Sequence, residues 1–260
     1  MATKEVNSGA PDAAVLAEMG EGSNLPAHRQ SGEFVLGQVD DGDVGGSGRP
    51  PRLQIAYGVG KLAVLFSQGD LVLNGDTMLV GKGEPLNIIV LGTTSYWKEY
   101  LGQEAYAANI HPRTFNTREE VLAVGGTVAW SKDPVSGKSI GPTFSGAMDV
   151  KMLIEQPEGI VSGLFGVPLG NKLYAAAEYT VDKQAFGIVS GVINNAAKFA
   201  LRTRGIYSAT FELKTVVTQK AGKTSVLPSI KLLEHLTDDV VAEIKAFFPA
   251  PCATAEALPA

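Results

Sequence analysis

The chain of 260 residues carries 30 Gly and 14 Pro, is 45% hydrophobic and 19% charged, and has a formal net charge of −5. That many residues unsuited to helix and strand interiors excludes a helical bundle, and the apolar content excludes a disordered polymer, leaving a turn-rich, β-leaning chain of one large or two small domains. A single cysteine, Cys252, excludes an internal disulfide framework and a multi-cysteine zinc site.

Residues 1–50 read as a flexible, Gly-rich acidic arm, with three basic side chains (Lys4, Arg29, Arg49) against eight acidic ones. A short helix is expected around Ala13 to Met19, capped by Asp12. The opening MATKEVNSGAPDAAVLAEM has neither the basic nor the apolar region of a signal peptide. No apolar run reaches the roughly 18–20 residues that cross a bilayer. A cytoplasmic chain without membrane contact is the expectation.

Order begins at Leu53, opening a β-rich segment over residues 51–235. LQIAY (53–57) predicts a strand, and Asn74-Gly75 within DLVLNGDTMLV predicts a hairpin, because that dipeptide tolerates the positive φ angles of a tight β-turn. The nearly continuous apolar run PLNIIVLGTT (85–94) predicts a strand buried on both faces, followed by SYWKEYL. Thr117 should cap a short helix over TREEVLAV, GTVAW (126–130) reads as a strand, and residues 131–147, with three Gly and two Pro, as a long loop. MDVKMLIEQP (148–157) and NKLYAAAEYT (171–180) alternate as strands, with Tyr174 and Tyr179 on opposite faces, so that at most one is exposed. Ala185, Val189, Val192, Ile193, Ala196 and Ala197 then recur at helical spacing, with Phe199 and Leu201 near the end, until Gly205 supplies a cap. Residues 205–219 predict a long strand, KAGKTS a turn and VLPSIKLL its antiparallel return. Residues 236–260 form a C-terminal helix, capped by Thr237 and ended by Pro249, and a tail.

From Pro85 the order is strand, strand, strand, helix, strand, strand. That is the order of an OB-fold, a five-stranded Greek-key barrel with a helix between its third and fourth strands. The expected class is mainly β (β-rich α+β), an OB-like barrel with an N-terminal hairpin extension and a C-terminal helix.

Catalytic and cofactor motifs fail on spacing. Gly58-Val59-Gly60-Lys61-Leu62-Ala63 fits G-x-G-x-x-A, but only KLAVLFSQ precedes Gly69, too short for the helix a dinucleotide turn requires, so a tight turn is expected. Gly222-Lys223-Thr224 and Gly137-Lys138-Ser139 lack the glycine five positions upstream that a phosphate loop needs. His28, His111 and His235 form no metal-binding pair, and Ser145 and Ser190 lack the G-x-S-x-G elbow. The adjacent acids Glu119-Glu120 and Asp238-Asp239 diverge on a helix. Neither an enzyme, a cofactor nor a metal is expected.

Charge points elsewhere. Between Asp182 and Lys231 eight basic residues stand against two acidic ones, and acid returns beyond Leu232. Such a segment suits an anion-binding surface or simply a solvated lysine-rich face. Single-stranded nucleic acid is held by cations that follow its backbone and rings that stack on its bases. Candidate cations are Lys98, Lys183, Lys198, Arg202, Arg204, Lys214, Lys220 and Lys223; candidate rings are Trp97, Trp130 and Tyr207, with Lys132 and Lys138 near Trp130. Core packing is the competing reading for each ring, and the stronger one for Phe211.

The succession PRLQIAYGVG, GDLVLNG, PLNIIVLGTTSYWKEYL, MLIEQPEG and VPLGNKLYAAAEYT, followed by a basic strand, resembles proteins of phage replication gene clusters over about residues 51–232. The resemblance implies a non-catalytic single-stranded-DNA-binding protein with an OB-type barrel, coating DNA in replication or recombination in the host cytoplasm, with self-association into a homo-oligomer. Such proteins often end in an acidic, aromatic-tipped tail. This chain ends PAPCATAEALPA, so either recruitment of replication proteins is missing or the acidic helix from Thr237 serves instead. The alternative is a structural or assembly protein, a virion or filament component whose arm contacts neighbours and whose rings are buried by symmetric association.

Overall fold

The computed structural model describes residues 50–248 apart from 103, 106, 107, 109, 221 and 222. The expected arm, its Asp12-capped helix, Pro249, Cys252 and the tail lie outside the described residues.

In chain order, Leu53–Ile55 (β1), Leu71–Leu73 (β2) and Thr77–Val80 (β3) form a small antiparallel sheet. Asn74 and Gly75 take φ of 56° and 82° between β2 and β3, the conformation for which an Asn-Gly pair is suited. Leu86–Glu99 (β4) follows, then Thr114–Phe115 (β5) and Arg118–Ala123 (α1). At α1 the Thr117 hydroxyl accepts from the Glu120 amide while the Glu120 carboxylate accepts from the Thr117 amide, a complete capping box. Ser131–Lys132 (β6) and Ser139–Ile140 (β7) form a small hairpin, and Phe144–Glu155 (β8), Val167–Leu169 (β9) and Lys172–Asp182 (β10) lead into Lys183–Asn195 (α2). Ala209–Lys220 (β11), Lys223–His235 (β12) and Asp238–Phe247 (α3) complete the described chain.

The large sheet runs β12-β11-β4-β8-β10-β9, antiparallel throughout, with β5 added at the far end of β4. Numbering its five long strands in chain order, the fourth lies beside the first, the first beside the second and the second beside the third. This is a Greek key, extended by the β11–β12 hairpin, with α2 between the third and fourth strands. The protein is mainly β with antiparallel sheets.

Two expectations are corrected. The sheet is open: among the described residues β10 and β12 do not pair, so hydrogen bonds close no five-stranded barrel. On one side of the opening Arg52 bridges to Glu178 of β10, whose amide donates to the Pro51 carbonyl at 2.9 Å. On the other, the buried Thr215 hydroxyl of β11 donates to the Gly69 carbonyl at 2.6 Å and accepts from the Gly83 amide at 3.2 Å. The small sheet is thus tied to β10 and to β11, and the core it shares with α2 lies between them. The second correction covers 126–147: GTVAW is irregular, and the loop expected over 131–147 holds the β6–β7 hairpin and the first residues of β8. Thr127 and Thr143 exchange amide-to-hydroxyl bonds of 2.7 and 3.0 Å instead, closing the excursion that contains β6 and β7.

Both faces of the sheet are covered. Ala185, Val189 and Ile193 of α2 pack with Leu53, Leu71 and Leu73 against Ile88, Val90, Met148, Val150, Phe211 and Leu213. On the other face Ile244 and Val240 of α3 pack against Ile89, Leu153, Leu169 and Tyr174. Burial on two sides explains why Ile88–Leu91 and Met152–Ile154 are unbroken apolar runs. It also buries both Tyr174 and Tyr179, on their opposite faces. Register slips between Val90 and Gly92, a bulge that lets β4 bend where glycine offers no side chain to obstruct it.

Candidate nucleic-acid interface

Antiparallel pairing brings the end of β4, the start of β8 and the end of β10 to one edge of the sheet, since Glu99 faces Phe144 and Asp182 faces Ala147. Of the residues proposed from sequence, Trp97, Lys98 and Lys183 lie here. Lys98 Nζ donates to Asp182 Oδ2 at 2.9 Å. Lys183 adopts φ 53° and sets its ammonium 4.7 Å from the centre of the Tyr100 ring. A side chain rarely adopts that φ, and the cation–π contact contributes about 0.5–1 kcal/mol in return. Trp97 is half-buried, facing Gly146 on one side and Phe115 on the other.

The Thr127–Thr143 closure belongs to the same edge, because the Tyr100 amide donates to the Thr143 carbonyl at 2.8 Å. From it projects the β6–β7 hairpin. Trp130 at its base is 73% exposed, its ring lying alongside Gly141. Lys132 and Lys138 are exposed and make no ion pair among the described residues. A ring open to solvent on a hairpin that also carries two unengaged cations offers what a stacked base and its phosphates require.

The remaining candidates lie elsewhere. Lys198 and Arg202 are exposed at the end of the α2 region. Arg204 is engaged by the Asp238 carboxylate and donates to the Leu236 carbonyl, stapling the approach to β11 onto the start of α3. Tyr207 sits in a 3-10 turn, Ile206–Ser208, packed into the cluster under α3, with Lys245 Nζ 5.9 Å from its ring centre. Lys214 on β11 shares Glu212 with Lys231 at 3.4 and 3.2 Å. Burial pushes the Glu212 carboxyl up, but the two ammoniums outweigh it and hold it below its ordinary range. Lys220 and Lys223 pair across the hairpin end. Because Leu213 pairs with Leu86 and Lys98 lies near the other end of β4, Lys214 and Lys98 are separated by roughly 40 Å of strand path. The eight cations do not come together in one trough.

Between these regions the uncovered part of the outer sheet face is a polar network. The Tyr96 hydroxyl and Thr180 Oγ1 donate to Asp149 Oδ1 at 3.1 and 2.8 Å. Nearby, Arg113 grips both Glu99 oxygens at 2.9 and 2.6 Å, holding that carboxyl below its usual range against the opposing effect of burial.

Two rings were missed as site residues. Tyr100 is exposed beneath Lys183, and its YWKEY context was legible as an aromatic-basic cluster. Phe199 is 78% exposed between Lys198 and Arg202. Helical spacing assigns Phe199 to the buried stripe three residues after Ala196. A π-helical turn over Ala196–Ala200 intervenes and rotates it outward.

The chain matches no family model, no curated protein and no solved structure. Among the described residues no group of three or more His, Cys, Asp or Glu could hold a metal ion, and no helix is long and apolar enough to cross a membrane.

Proposed function

We propose that the protein binds single-stranded nucleic acid, DNA in the first instance, without catalysis, coating a strand in phage-type replication or recombination. The observation that carries the reading is the exposed Trp130 at the base of a hairpin that also carries the exposed Lys132 and Lys138, on an excursion between the first and second strands of a Greek key. In an OB-fold, a partly open Greek-key barrel, that loop, the loop between strands four and five and the face of strands two and three hold oligonucleotides. The OB reading is supported by the strand order, by α2 between the third and fourth strands, and by the small sheet occupying the side left open. Lys183 with Tyr100 extends the surface along the sheet edge, and Lys198, Phe199 and Arg202 offer a second aromatic-basic point.

Oligothymidine titration with Trp emission as the readout tests this. If about four phosphates are neutralised, affinity should fall roughly 50-fold between 50 and 200 mM salt. Trp130→Ala should weaken binding by about 1–3 kcal/mol, the worth of one stacked base, with an unchanged melting temperature. Absence of salt-sensitive quenching rejects the reading.

One observation favours the alternative of an assembly component. Val64 and Leu65 expose 84% and 70% of their surface next to Val59, an apolar strip that self-association would cover. A large sedimenting particle without oligothymidine binding would support it.

A further inference from the structure

We propose that the cavity between β1, the turn that follows it and β10 binds a nucleoside monophosphate, Arg52 and Lys61 taking the phosphate and the Tyr57 ring the base. The cavity holds about 390 Å³, within the range of small-molecule sites. It is distinct from the Trp130 hairpin and does not depend on strand binding there.

The chemistry of its walls is specific. Arg52 and Lys61 are exposed, line the same space and make no ion pair among the described residues. A planar guanidinium beside an ammonium matches the oxygens of a phosphate. Gly58 and Gly60, both at φ 76°, turn the chain so that Lys61 returns to the cavity that Arg52 lines. This is the G-x-G-x-x-A segment rejected above as a dinucleotide turn; the phosphate here is held by side chains, with no helix required. Tyr57 presents a ring 48% exposed, and Gln54 adds an amide able to donate to and accept from a base edge.

Tyr179 also lines the cavity at 3% exposure, with the Tyr57 phenol beside it, and its hydroxyl makes no hydrogen bond of ordinary geometry. Burial pushes both phenols up; at Tyr179 the neighbouring Tyr57 adds to it and then Asp182, whereas at Tyr57 Asp182 adds and the contact with Tyr179 opposes. A guest oxygen could accept from Tyr179. Glu178 also lines the space and takes part in an interaction of its own.

The test is calorimetric titration of the full chain with dTMP, dAMP, thymidine, inorganic phosphate and oligothymidine. One dTMP or dAMP per chain is expected, at least about tenfold tighter than thymidine or phosphate alone. Arg52→Ala with Lys61→Ala should cost at least about tenfold. Tyr179→Phe should weaken binding without lowering the melting temperature, which separates a lost contact from a lost fold. No saturable binding of either nucleotide on the order of 10 mM, or equal affinity in the double variant, overturns the proposal. Displacement of oligothymidine by dTMP would identify the guest as a nucleotide of the strand; simultaneous binding would identify a free nucleotide. Oligothymidine binding without nucleotide binding rejects this site and leaves the strand-binding reading intact, and the converse result does the opposite.

Discussion

A phenol buried without a well-formed hydrogen bond recovers little of the hydration it gives up, at a cost of up to about 1–3 kcal/mol, and Tyr179 is buried with the Tyr57 phenol beside it but no hydrogen bond of ordinary geometry. Tyr179→Phe is expected to hold or raise the unfolding midpoint of the ligand-free chain, whereas Phe211→Ala in the same core should lower stability by about 3–5 kcal/mol. Tyr174 adds a pH dependence. Burial, then Glu155 and Glu234, push its pKa up to about 12, and Tyr179 also lies well above the ordinary value. Unfolded tyrosines lose their protons near pH 10. Between about pH 10 and 12 the unfolded chain therefore binds fewer protons than the folded one, and stability falls as pH rises through that window. Urea midpoints at about pH 8 and 11 should show the decline, smaller in Tyr174→Phe; equal declines would discount the tyrosines. At this scale the sequence was legible where the signal was local. The Thr117 capping box and the Asn74-Gly75 turn were readable because their partners lie within a few residues. The engagement of Lys98 and Arg204 by carboxylates was not, since Asp182 stands 84 positions from Lys98 and Asp238 34 positions from Arg204.

Among the elements, the attachment of the small sheet is the feature on which the opening of the large one turns. Thr215 is buried on β11 and satisfies the Gly69 carbonyl and the Gly83 amide together. Thr215→Val keeps the shape and strands both groups, with an expected cost of about 1–3 kcal/mol. Hydrogen exchange should speed up in β1–β3 while β4 and β8 keep their protection; uniform acceleration would show that the tether is not local. Helix α2 shows how an element can be placed correctly and one of its residues not. The stripe Ala185, Val189, Ile193, Ala196 is buried as its spacing predicts, yet one π turn carries Phe199 from that stripe into solvent. Periodicity assumes a constant turn angle, and nothing in the local sequence announces where it changes.

For the whole molecule, α3 is the cover of one sheet face, and its removal is a direct measure of how far that face depends on it. A chain ending at Leu236 would expose Ile89, Leu153, Leu169 and Tyr174. Such a chain is expected to bind a hydrophobic dye and melt earlier, because several apolar side chains each lose roughly 1.5–3 kcal/mol of burial. An unchanged melting curve would mean that the face is stable uncovered. By itself the sequence determined the β-rich class, the succession of three long strands, helix and two further strands, the Asn74-Gly75 turn and the Thr117 cap, all carried by side chains acting on their own stretch of backbone, whereas Thr237 precedes α3 without a side-chain capping bond. Only the tertiary structure decided that the sheet stays open, that Trp130 stands free while Tyr207 packs beneath α3, and that Arg52, Lys61 and Tyr179 share one cavity. Those outcomes rest on contacts such as Thr215 with Gly69, 146 positions apart. Pairing at that distance is chosen by the packing of the complete core, to which no local window of residues has access.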